Sequence, residues 1–133
     1  MLAGAIQSAI TFLKTRDLDA TSAFYTVVLG MPLSLDQGAC RIFAITGGAY
    51  IGFCRTEGST GSDEVIFTFV LEDVDAACAR LEAQNVPIEV RPRHNPQYGI
   101  YQMFIRDPNG YRIEIQRFLD PRWANTHPLK SSL

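Results

Sequence analysis

The last regular stretch of the chain alternates strictly: Tyr111, Ile113 and Ile115 are apolar, whereas Arg112, Glu114 and Gln116 are polar. A period of two predicts a strand with two unlike faces, the apolar one under a helix and the other turned away from it. The run Val65–Leu71 is apolar on both parities except at Thr68, so its second face is also expected to be covered, by packing or by an enclosed cavity. Elsewhere the spacing changes. Val74, Cys78 and Leu81 stand at i, i+4 and i+7, and Leu18, Tyr25 and Val28, with Phe24 beside them, form a comparable stripe, so two amphipathic helices are predicted.

These elements recur. Asp17-Leu18-Asp19-Ala20 returns 56 residues later as Asp73-Val74-Asp75-Ala76, and the same shift pairs Ala23 with Ala79 and Ile10 with Ile66. In each copy an apolar strand (Ile10–Thr15; Val65–Leu71) runs into an aspartate able to cap the first orphan N–H groups of a helix. The helices end at Gly30 and at Asn85 with Pro87. Three strands are then expected in each copy: Leu33–Leu35, Cys40–Thr46 and Tyr50–Cys54, then Ile88–Arg91, Ile100–Arg106 and Tyr111–Arg117. Gly47-Gly48 and Asp107-Pro108-Asn109-Gly110 supply the last hairpin turns. The fold class is therefore α+β, with two βαβββ modules at about 8–56 and 64–118 inside one domain, 1–118. The polar segment Thr56–Asp63 links them, and 119–133 reads as a tail without periodicity, suited to lie across a partner subunit.

Composition narrows the function classes. A chain of 133 residues suits one domain, and 47% hydrophobic residues with eight Phe and five Tyr can fill its core. The net charge of −2, without a Lys/Arg run, argues against nucleic acid as partner. Met1–Leu13 lacks a basic region and is interrupted by Gln7, Ser8 and Thr11, so neither a signal peptide nor a membrane span is expected. Cys40, Cys54 and Cys78 sit among apolar neighbours without CxxC spacing and read as reduced core residues of a cytoplasmic protein.

Candidate chemistry is sparse. His94, in the Pro-rich loop Arg91-Pro92-Arg93-His94-Asn95-Pro96, and His127 in the tail are the two histidines, and neither is paired at ligand spacing. No Ser-His-Asp or Cys-His arrangement and no phosphate-binding glycine loop can be composed. Glu114 stands out as a carboxylate on the strand face turned from the helix. It acts there as a general base or ligand contact, or it pairs structurally with Arg112, Arg41 or Lys14. Phe12, Tyr50, Tyr98, Tyr101 and Phe104 divide between core and pocket lining, with Phe12 sharing a parity with Ile10 and Tyr50 with Gly52.

Arg16-Asp17-Leu18 with Phe24-Tyr25 and Leu29-Gly30-Met31, followed by the closing run Asp107-Pro108-Asn109-Gly110-Tyr111-Arg112-Ile113-Glu114-Ile115, resembles the vicinal-oxygen-chelate superfamily of glyoxalases, bleomycin-resistance proteins and extradiol dioxygenases. The likeness spans about residues 8–118. It implies paired βαβββ modules around a U-shaped cleft, commonly in a homodimer. It also implies where a metal would be held: one ligand on each module's first strand, seven residues before the aspartate, and one on each last strand. Those positions are Ile10, Gly52, Ile66 and Glu114. A divalent metal needs several N, O or S donors, so no metal and no cofactor are expected. The expected ligand is a small, partly aromatic organic molecule, flat and uncharged or cationic. Phe12, Tyr50, Gly52, Thr68, Gln102, Phe104, Arg112, Glu114 and Gln116 would line its site, Gly52 leaving open space. The alternatives are a lyase, isomerase or dioxygenase using Glu114 as base or metal ligand, and a dimerising or regulatory scaffold whose cleft is filled.

Overall fold

Aspartates at equivalent points start both long helices. The N–H of Ala20 donates to Asp17 Oδ1 at 3.0 Å and that of Ala76 to Asp73 Oδ1 at 2.9 Å, the same cap 56 residues apart. In the computed structural model, which describes residues 2–126, the elements are α1 (Leu2–Ala5), β1 (Ala9–Thr15), α2 (Leu18–Ala23), β2 (Leu33–Asp36), β3 (Cys40–Thr46) and β4 (Ala49–Arg55). There follow β5 (Ile66–Val70), α3 (Val74–Ala83), β6 (Val90–Asn95), β7 (Ile100–Arg106), β8 (Arg112–Phe118) and α4 (Pro121–Thr126). A π-helical turn, Phe24–Val28, prolongs α2, and Gly30, at φ 73°, then carries the chain out of it.

Each module makes one four-stranded mixed sheet, in the orders β1-β4-β3-β2 and β5-β8-β7-β6. The first strand of each pairs in parallel with the last, and the other pairs are antiparallel. The chain divides into two compact units: residues up to Asp63 with Asp107–Tyr111, and Glu64–Arg106 with Arg112 onward.

In the first unit α2 and its π-helical turn cover one sheet face, burying Leu18, Tyr25, Phe43, Ile51 and Phe53. The Tyr25 ring lies 4.8 Å from that of Phe53 and 6.0 Å from that of Phe43. A buried polar network joins the same unit. Tyr25 donates to Asp107 Oδ2 at 3.0 Å, Asn109 donates to Thr21 Oγ1 at 3.0 Å, and Thr15 donates to Asn109 Oδ1 at 2.7 Å. The Asp-Pro-Asn-Gly turn predicted for its backbone geometry thus contributes buried side chains as well. In the second unit α3 covers Met103, Ile105, Ile113 and Ile115 with Val74, Cys78 and Leu81, the apolar parity read from the sequence.

Three local expectations are corrected. Cys40 and Cys54 are not reduced: they face each other across β3 and β4, with Cα atoms 4.1 Å apart, and are joined by a disulfide. Directly opposed residues of an antiparallel pair bring two β-carbons close enough for this, and periodicity does not report register. Cys78 is free and buried, as expected. The argument from reduced thiols to a cytoplasmic location therefore lapses. Secondly, the segment placed in a loop around His94 is strand β6; Pro92 sits where the pairing shifts between Val90 and Arg93, a position an edge strand allows it. Thirdly, part of the aperiodic tail is helical. Pro121 opens α4, the Arg122 N–H donates to Asp120 Oδ1 at 2.9 Å, and the Trp123 ring stacks on Phe118 at 4.1 Å. His127 and the rest of the expected tail lie outside the described residues. A short helix, α1, precedes the first strand in a stretch for which the sequence suggested no element.

Candidate functional site

The register of the second sheet decides which side chains share its helix-free face. Ile66 is opposite Arg112, Thr68 opposite Glu114, Phe104 opposite Glu114, Gln102 opposite Gln116 and Arg93 opposite Gln102. Because alternate residues share a face, these form one surface. It is concave, with a volume of about 540 Å³, and Asn95, Tyr98, Ile100 and Phe118 complete its lining.

Glu114 is the centre of this surface and is 9% exposed. Thr68 donates to its Oε1 at 2.8 Å and Gln116 to the same oxygen at 3.4 Å, while Gln102 Nε2 donates to Oε2. Asn95 Nδ2 in turn donates to Gln102 Oε1 at 2.8 Å, which fixes the orientation of that amide. The carboxylate is thus satisfied by neutral donors from three strands, and the structural pairing with Arg112 is not made. Arg112 instead donates to Glu89 Oε1 at 2.9 Å and lays its guanidinium 3.9 Å from the Phe104 ring centroid, a cation–π contact. Arg106 holds the other oxygen of Glu89 at 2.6 Å. The two arginines keep the Glu89 carboxyl below the usual carboxylate range, Arg106 most strongly.

Of the predicted site residues, Thr68, Gln102, Phe104, Arg112, Glu114 and Gln116 come together here. Phe12, Tyr50 and Gly52 lie on the helix-free face of the first sheet, where Phe12 is opposite Gly52 and Ile10 opposite Tyr50. The space expected over Gly52 is filled. A Cβ built on it would stand 2.6 Å from the Phe12 ring, so the glycine is the floor on which that ring rests. Arg93, Asn95, Ile100 and Phe118 also line the concavity without having been singled out in the sequence, and Tyr98, offered as core or pocket, lines it too. Arg93 and Asn95 share a strand parity that was available in the sequence but hidden once Pro92 and Pro96 suggested a loop. Tyr101, offered as core or pocket, faces the helix side and donates to Asp75 at 2.6 Å. His94 packs 4.8 Å from the Tyr101 ring.

A family model described as the Glyoxalase/Bleomycin resistance protein/Dioxygenase superfamily matches residues 9–115. The chain belongs to this superfamily. Among solved structures, a lactoylglutathione lyase from Agrobacterium tumefaciens is 29% identical, with 81% of this chain and 90% of that one covered and a TM-score of 0.67. A glyoxalase/bleomycin resistance protein/dioxygenase from Nocardioides is 18% identical over 99% and 95% of the two chains, at TM-score 0.72. An integron cassette protein from the mobile metagenome of a Halifax Harbour sewage outfall is 19% identical over 84% and 97%, at 0.74. These last two are similar in fold alone. No curated protein matches the chain.

The metal site that the superfamily resemblance implies does not suit the residues present. Ile66, on the face of Glu114, offers no donor atom, and neither do the side chains of Ile10 and Gly52 on the first sheet. The oxygens of Glu114 are engaged by amide and hydroxyl donors, groups that neutralise nothing and complete no coordination sphere. Among the described residues no three His, Cys, Asp or Glu side chains are gathered to hold an ion.

Proposed function

We propose that this superfamily member binds a small, partly aromatic organic molecule, without a metal, on the helix-free face of its second sheet. The observation that carries the reading is the carboxylate of Glu114, buried in a concavity and oriented by Thr68, Gln102 and Gln116. A fixed acceptor among Phe104, Ile66, Ile100 and Phe118 has the make-up of a small-molecule site, with apolar walls and a few placed polar groups. Phe12, Tyr50 and Gly52 belong to the proposal as an aromatic surface on the first sheet. The reading of a scaffold with a filled cleft has less support, since the concavity is open.

The measurement is thermal unfolding against a library of small aromatic compounds. A ligand at a hundred times its Kd should stabilise the fold by about 2.7 kcal/mol, and Glu114→Ala should remove that gain. Elemental analysis after dialysis should find no stoichiometric zinc, nickel, iron or manganese. About one such ion per chain, lost in Glu114→Ala, would overturn the metal-free reading.

The 29% identity to a lactoylglutathione lyase favours a second reading, an enzyme in which Glu114 takes a proton from bound substrate. Turnover that vanishes in Glu114→Gln while binding persists would select it. For either reading a homodimer is proposed, from the resemblance and from the exposed apolar residues Ile10, Phe12, Ile66 and Val70 on the edge strands β1 and β5.

A further inference from the structure

Once the hydrogen bonds on the second sheet's helix-free face are drawn, two polar groups of one row across the strands remain unmatched among the described residues. Thr68, Gln102, Asn95 and Glu114 satisfy one another, and Arg112 and Arg106 share Glu89. Gln116 is 6% exposed and spends its Nε2 on Glu114, but its Oε1 is buried and meets no donor from the described residues. Turning the amide over would set that oxygen against a carboxylate, so the orphan is the acceptor. The second remainder is Arg93, whose guanidinium makes no ion pair or hydrogen bond with any described residue. Gln116, Gln102 and Arg93 form one row across β8, β7 and β6. At about 4.8 Å between adjacent strands, the outer two backbones stand about 10 Å apart, room for one planar ring between their side chains. Ile100, Phe104 and Phe118 supply apolar surface beside the row.

We propose that this face selects an aromatic carboxylate carrying a hydrogen-bond donor at its far end, the carboxylate paired with Arg93 and the donor accepted by Gln116 Oε1. The inference rests on the small-molecule reading above and names its ligand class. The flat, uncharged or cationic ligand expected from the sequence was drawn for a lining that held Glu114 and Arg112; with Arg112 neutralised by Glu89, Arg93 adds a free positive charge at the other end and changes the class to an anion. A planar guanidinium accepts a carboxylate through two parallel N–H donors. A monoanion is favoured over a phosphate dianion, because Arg112 is already neutralised by Glu89 and a second negative charge would face Glu114 without a partner.

Para-aminobenzoate is the probe, with para-aminobenzamide and benzoate as controls that lack the charge and the donor respectively. Backbone-amide NMR titration of the full chain at millimolar probe reads both affinity and place. The acid should perturb β6, β7 and β8, and each control should bind about tenfold more weakly or worse, the worth of one charge-assisted or buried hydrogen bond. Arg93→Gln, an exposed edge-strand change that leaves the core untouched, should abolish the preference for acid over amide. Gln116→Met should abolish the preference for the aminated acid over benzoate. Equal binding of acid and amide, or an acid preference that survives Arg93→Gln, overturns the proposal. If the amide alone perturbs these strands, the small-molecule reading stands and the anionic class falls. If none of the three probes, nor any compound of the aromatic library, perturbs them, both fall.

Discussion

Asp107 is 5% exposed and accepts from Tyr25, from the Asn109 side chain and from the backbone N–H groups of Asn109 and Tyr111. Burial outweighs those donors and raises its carboxyl above the ordinary 3.8, while burial and the same carboxylate push the Tyr25 hydroxyl far up. Between the ordinary value and the raised one, the native state therefore holds more of the Asp107 proton than the unfolded chain does. Stability from this group is greatest below the unfolded value and declines as pH rises from about 3.8 through the folded one. Asp107→Asn should remove that component, so the difference in urea midpoint between parent and variant should move against the parent as pH rises across the acidic range; a constant difference would refute the assignment. Gly52 offers a second residue-scale test. Gly52→Leu has to displace the Phe12 ring, itself 50% exposed and free to swing outward, so a cost toward the lower end of about 1–3 kcal/mol is expected in thermal unfolding. At this scale Glu114 was legible because alternation alone placed it on the helix-free side. Arg93 was masked by the flanking prolines, which suggested a loop, and the Phe12 ring over Gly52 was not legible, since a side-chain rotamer is not written in a period of two.

Among the elements, the helices and their caps were the most legible part of the chain, because an aspartate before an apolar stripe is a local signal. Partnership between strands is not local. The sequence placed Cys40 and Cys54 in β3 and β4 but could not set them opposite each other, which depends on the number of residues in the intervening turn. Their disulfide closes a sequence separation of 14 residues, for which a stabilisation of about 3 kcal/mol is the expected order. Alkylation of the denatured, unreduced chain should label one cysteine, Cys78. After reduction all three should react, and the melting temperature of the reduced protein should be lower. Three labelled thiols without reductant would show that the bond does not form.

For the molecule as a whole, internal repetition was the most informative property of the sequence, since a handful of matches at a shift of 56 residues announced two like modules. What it could not convey is division of labour. The second sheet carries the Glu114 network, whereas the helix-free face of the first carries Ile10, Phe12, Tyr50 and Gly52. The exposed apolar residues of β1 and β5 are expected to be covered by a second copy of the chain, in the isologous manner commonest among oligomers. Light scattering should return about twice the 14.8 kDa chain mass. A mass equal to one chain at every concentration would exclude the dimer.

Strand β1 finds its parallel partner β4 only after some forty residues of chain. The first unit is still incomplete when that pairing is made, because Asp107 and Asn109, which receive the Tyr25 hydroxyl and meet Thr15 and Thr21, come from a turn near the other end of the sequence. On the ribosome, then, the leading half emerges with the Tyr25 hydroxyl destined for burial but without its acceptor Asp107, while Thr15 and Thr21 have only each other. That half is expected to be less firmly ordered, and more open to proteases or chaperones, until the final hairpin is synthesised. Synthesis that stops after residue 63 should accordingly yield a product that is degraded rather than stored.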